Sequence, residues 1–175
     1  LCEKPLAVNY GQAAKVIDVV RRHDVFLMEA FMYRCHPQTA RLVEIIRSGR
    51  LGDICEVKVW DYDNFSPGFG APPNCDPPKE LDWDLYLGPS PMMPYNPNCY
   101  DRGGFDWFKS TGAGYQVAWG VHHFDVVQWA LDVKWPKAVS AAGGKFSFPK
   151  DNREWPDTFS AIAEYGPGPI AKNGF

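Results

Sequence analysis

Residues 118–131, Ala-Trp-Gly-Val-His-His-Phe-Asp-Val-Val-Gln-Trp-Ala-Leu, constrain this chain more than any other stretch. After Gly120, a residue free to adopt backbone angles closed to others, the apolar positions Val121, Phe124, Val127 or Gln128, and Leu131 recur at helical spacing and predict a helix. His122 and His123 then fall in its first turn. Unpaired backbone N–H groups and the positive end of the helix dipole disfavour an added proton there, so an imidazole stays neutral and fits a base. The same pattern fits a histidine that caps a helix or fills a core, and the stretch alone favours that plainer reading.

The segments before it alternate between helix and strand signals. Asn9-x-x-Gln12 is a capping-box pattern and predicts a helix to about Arg22, with Ala13, Val16, Ile17 and Val20 on one face. Val25-Phe-Leu-Met reads as a short buried strand of the parallel kind, so residues 1–34 form a strand-helix-strand piece of a doubly wound sheet. His36-Pro37 sets a proline at the first position of a second helix, which Gly49 closes. Asp53 to Tyr62 alternates apolar and polar residues and predicts a strand with one wet face.

Residues 63–104 hold most of the prolines together with Trp83, Tyr86, Tyr95 and Tyr100, without a lasting period. So many large aromatics imply an ordered excursion rather than a flexible linker. Beyond the histidine helix, residues 138–148 and 158–165 predict two further strands, which makes the second part α+β with a largely antiparallel sheet.

Composition narrows the function. With 175 residues and 45% apolar content, the chain can bury one sizeable core and part of a second. A net charge of -3 with both signs interspersed gives no basic stripe, and no nucleic-acid partner is expected. Five widely spaced cysteines without a Cys-x-x-Cys pair point to a reducing compartment, the cytoplasm, and to no zinc site. No apolar run reaches the roughly twenty residues that cross a bilayer, so no membrane partner is expected. The opening Leu-Cys-Glu lacks an initiator methionine and the end comes just after a predicted strand, so we expect a piece of a larger protein.

Several residues invite chemistry. Lys4 follows a strand end, where open parallel sheets present ligand-binding groups, and can donate to a hydroxyl or carbonyl oxygen; Pro5 after it allows a cis peptide bond. A surface lysine in a turn fits equally. Arg34 can hold a ribose, amide or carboxylate oxygen, or bridge the two parts as an ion pair, the plainer choice. His36 most simply caps a helix. Trp83, Tyr95 and Trp107 can stack on a sugar ring, although aromatics in a long loop more often form a small core of their own.

In order, Glu3-Lys4-Pro5, Glu29-Ala-Phe-Met-Tyr-Arg-Cys-His-Pro37, Gly49-Arg-Leu-Gly-Asp53 and Gly120-x-His122-x-x-Asp125 resemble the Gfo/Idh/MocA family. The segments Leu81-Asp-Trp-Asp-Leu-Tyr-Leu-Gly-Pro89 and Trp119-Gly-x-His-His-Phe-Asp125 are similar to a bacterial branch of it. The resemblance implies the C-terminal end of a Rossmann domain that binds NAD or NADP (1–34), followed by an α+β substrate and oligomerisation domain with an open, mostly antiparallel sheet (35–175). It further implies homo-oligomer contacts through that sheet and a carbohydrate or cyclic polyol substrate. Carried over residue by residue, Lys4 sits beside nicotinamide and substrate and His122 is the acid/base, with His123 the lesser candidate. Glu3, Pro5 and Arg34 join Lys4 at the cofactor, and Trp107 and His123 join Lys4 and His122 at the substrate. The family often carries an aspartate four residues before the helix histidine, where this chain has Ala118. Two alternatives remain on the sequence: a non-catalytic sugar-binding or oligomerisation module, and an NAD-dependent glycoside hydrolase.

Overall fold

The structure, a computed structural model, describes residues 1–63 and 65–175, with the side chains of 101–103 left aside. It is a mixed α/β chain with two two-stranded sheets. It divides into two compact units: residues 1–61, 119–142 and 160–175 form the first, and residues 62–118 and 143–159 the second. Residues 1–34 fall in the same unit as the histidine helix.

In the first unit, strand β1 (Cys2–Glu3) pairs in parallel with β2 (Glu29–Ala30), Cys2 facing Glu29 and Glu3 facing Ala30. Between them runs α1 (Tyr10–Arg22), started as expected by the Asn9 side chain accepting from Gln12 N at 3.0 Å. The parallel strand-helix-strand order holds, but the second strand lies a few residues beyond the expected Val25–Met28. That run is mostly exposed, Phe26 at 85%, because β2 pairs with β1 and no layer of the described residues encloses the segment before it. Residues 53–62 form no ladder either, for the same reason: their alternation is real, but no described strand lies beside them to accept their N–H groups.

Helix α2 (Pro37–Arg47) begins where the sequence places it, with His36 Nδ1 accepting from Gln38 N at 3.2 Å, and Gly49 follows it at φ 73°. It packs against α6 (Gly120–Leu131), whose Ala130 and Leu131 are buried. Arg47 reaches the last turn of α6 and donates to the carbonyls of Trp129 and Ala130, two acceptors that the helix itself leaves open.

The second unit takes its core from the aromatic excursion. It contains the short helices α3 (Trp83–Leu87), α4 (Pro97–Tyr100) and α5 (Tyr115–Ala118) and the 3₁₀ turn Asp101–Trp107. Trp83, Leu87, Tyr95, Cys99, Trp107 and Phe108 form one buried cluster. Beside it Arg153, 2% exposed, bonds the Asp151 carboxylate through Nε at 2.9 Å and Nη2 at 2.5 Å, while Asp151 also accepts from the N–H groups of Phe69 and Gly70. Strands β3 (Ala138–Gly144) and β4 (Thr158–Glu164) form the second sheet, an antiparallel pair in which most side chains are exposed. Among the described residues no helix is long and apolar enough to cross a membrane, and no three His, Cys, Asp or Glu side chains gather as a metal site.

Candidate functional site

The site lies within the first unit, where the end of β1, the 3₁₀ turn Met32–Cys35 and the start of α6 bring their side chains together. His122 occupies the first turn of α6, its N–H bonded to Trp119 O at 3.0 Å. Its imidazole is surrounded by rings: Tyr33 at 5.3 Å and 67°, Phe31 at 6.4 Å and 76°, and Trp119 at 5.6 Å and 50°. Burial, then the charges of Lys4 and His123, hold its pKa below the ordinary imidazole value against a smaller opposing effect of Asp125. That direction agrees with the neutral imidazole expected from the sequence, with burial the leading cause.

Lys4 closes the other side of the indole contact. Its peptide bond to Pro5 is cis, and its ammonium stands 5.8 Å from the Trp119 ring centroid. Lysine and imidazole thus meet a common aromatic surface, and the Trp119 side of it is 43% exposed. Sequence reasoning missed Trp119 as a site residue; the available signal was a large aromatic immediately before the glycine that opens the histidine helix.

Arg34 takes the ion-pair role. Its Nη2 donates to Asp125 Oδ1 at 2.6 Å and its Nε to Oδ2 at 2.9 Å, a forked pair, and the same Oδ2 accepts from Tyr33 Oη at 2.9 Å. The Tyr33 phenol is pushed above its ordinary range by burial and by that carboxylate. Arg34, expected at the cofactor, has two of its nitrogens bonded to Asp125 here, and its guanidinium carbon stands 5.1 and 5.9 Å from the ring centroids of Trp129 and Phe31. Of the remaining candidates, Glu3 is exposed, while Pro5 and His123 are half-buried.

Trp107, expected at the substrate, is 2% exposed, stacked on Tyr115 at 5.3 Å and 7°, with the Arg153 guanidinium 4.6 Å from its ring, so the structure places it in the core of the second unit. Ala118, where the family often carries an aspartate, is buried at 6% exposure.

No family profile and no solved structure matches the chain. Curated proteins do. The chain is 26% identical over 168 residues to the rhizopine catabolism protein MocA of Rhizobium meliloti, covering 96% of this chain and 41% of that protein. It is 43% identical over 88 residues to D-xylose 1-dehydrogenase (NADP(+)) 2 of Haloferax volcanii, covering 50% and 25%. It is 41% identical over 54 residues to trans-1,2-dihydrobenzene-1,2-diol dehydrogenase of Oryctolagus cuniculus, covering 31% and 16%. The chain thus spans less than half the length of each of these relatives. Several relatives are named dehydrogenases or oxidoreductases, and these likenesses are consistent with the Gfo/Idh/MocA resemblance carried by the motif order set out above.

Proposed function

We propose that the chain is the part of an NAD- or NADP-dependent dehydrogenase that receives a sugar or cyclic polyol and removes the proton of the hydroxyl being oxidised. The observation that carries this reading is the meeting of Lys4 and His122 at the Trp119 indole. The relatives named for D-xylose and for a cyclic diol support the substrate class. The donor set fits the nicotinamide end of such a cofactor: Lys4 and Trp119 offer a cation and an aromatic face at the end of a parallel strand, where residues 1–34 form the last part of a nucleotide-binding domain. When bound, the nicotinamide supplies the hydride acceptor.

The residues do the rest. Trp119 packs against the C–H face of the substrate ring and orients it. His122 takes the hydroxyl proton, for which its neutral state prepares it. The Lys4 ammonium donates to the same oxygen and stabilises the negative charge that develops as the proton leaves. Phe31, Tyr33 and Trp119 pack around the imidazole and keep it oriented.

We place self-association on the β3–β4 hairpin, whose Val139 and Ile162 are exposed. A non-catalytic sugar-binding module is the second reading, and the buried Ala118 in place of the family's aspartate favours it. The test uses the complete protein that contains this chain, with D-xylose, cyclic polyols and both nicotinamide cofactors. We expect turnover that falls at least a hundredfold in Lys4→Met and in His122→Ala, in keeping with a positioned acid-base group. Sugar binding without turnover in the wild type would instead establish the module.

A further inference from the structure

We propose that Arg34 is a positioning residue for His122: together with the Tyr33 hydroxyl it clamps the Asp125 carboxylate, withholding from the imidazole the acid one helical turn away. This deepens the reading of His122 as proton acceptor and rests on it. Both carboxylate oxygens are engaged, Oδ1 by Arg34 Nη2 at 2.6 Å and Oδ2 by Arg34 Nε and Tyr33 Oη, each at 2.9 Å. A guanidinium fork matches a carboxylate edge and leaves it little freedom to turn toward another donor. The 3₁₀ turn that carries Arg34 also carries Tyr33, so the clamp and a ring packed on His122 are placed by one element.

The charged groups that act on the imidazole are Lys4, His123 and Asp125, and none of them comes from α2, which packs against α6. Lys4 follows β1, Tyr33 and Arg34 stand on the turn, His123 and Asp125 share the helix, and Glu29 of β2 acts on Tyr33. Lys4 and His123 oppose protonation of His122, and Asp125 favours it. With Arg34 beside it, that carboxylate presents little net negative charge at a distance. Without Arg34, Asp125 becomes the carboxylate partner that Ala118 cannot be.

The test is an NMR titration of the His122 ring nitrogens in the complete protein, assigned against His122→Gln, for wild type, Arg34→Met, Asp125→Asn and the double variant. We expect Arg34→Met to raise the His122 midpoint by about 0.5–1 pH unit, Asp125→Asn to lower it, and the double variant to follow Asp125→Asn, as an uncovered opposite charge requires. Arg34→Lys, which keeps the charge without the fork, should give a smaller rise and supplies the comparison if Arg34→Met fails to fold. No shift in Arg34→Met and Arg34→Lys, or shifts of Arg34→Met and Asp125→Asn in the same direction, would overturn the proposal, since a merely loosened seat exposes the imidazole in both. The titration needs no turnover, so its failure is distinct from failure of the dehydrogenase reading.

Discussion

The Lys4 ammonium stands 5.8 Å from the centroid of the Trp119 ring. That places a cation that can bind an oxygen against an aromatic face that can bind C–H groups, the two halves of a sugar hydroxymethine. Trp119→Ala should raise KM for the sugar about tenfold and Trp119→Phe about twofold, the range expected for losing or shrinking a ring contact worth roughly 0.5–1.5 kcal/mol. Steady-state kinetics on the complete protein measure this, and an unchanged KM in Trp119→Ala would remove the residue from the substrate site.

Asp151 and Arg153 hold the second unit together. The carboxylate is buried, which alone would raise its pKa, but the N–H groups of Phe69 and Gly70 and the Arg153 guanidinium bond its charged form and keep the value lowered. Because the native value lies below the unfolded one, the stabilisation is complete above about pH 4 and lost as pH falls through the lowered native value. Asp151→Asn leaves a buried guanidinium without its counter-charge and should cost about 3–5 kcal/mol. Urea unfolding at neutral pH checks the size, and the variant's urea midpoint should fall less than the wild type's as the pH is lowered through the acid range.

Arg47 binds α2 to the last turn of α6 through the carbonyls of Trp129 and Ala130. Arg47→Met keeps most of the stem and removes the donors, so about 1–2 kcal/mol of stability should go with them. Hydrogen exchange should show the loss first in the C-terminal turn of α6.

The exposed β3–β4 hairpin should carry self-association. Ile162→Lys is expected to lower the sedimentation-derived mass of the complete protein without changing its unfolding midpoint by more than a degree or two, as for a surface change away from packed features. An unchanged mass in a protein that does self-associate would put the interface elsewhere.

Local signals were legible in the sequence. The Asn9 and His36 caps, the Gly49 stop and the start of the histidine helix depend on neighbours within a few residues, and all stand where their chemistry puts them. The aromatic excursion was legible as a small core because Trp83, Tyr95 and Trp107 have to bury their rings somewhere. Strands were less so. Residues 25–28 and 53–62 have strand-like patterns, but a ladder needs a neighbour, and a pattern does not name one. At the candidate site, motif positions pointed to Lys4 and His122, and both approach the Trp119 ring. The pairing of Arg34 with Asp125 joins residues 91 positions apart, so their types allowed it but only the packing of the turn on α6 creates it. Trp107 and Trp119 look alike in sequence, and burial alone separates a core ring from a site ring.

The central claim is that His122 is the proton acceptor, and the pH dependence of kcat/KM for sugar oxidation by the complete protein tests it most directly. Its pKa is lowered, so the neutral base should persist at lower pH than a free imidazole allows. With His122 as the acceptor, kcat/KM should fall on the acid side with an apparent value below the ordinary imidazole value of about 6.5, and that limb should vanish from the residual rate in His122→Gln. An acid limb that survives unchanged in His122→Gln would contradict it.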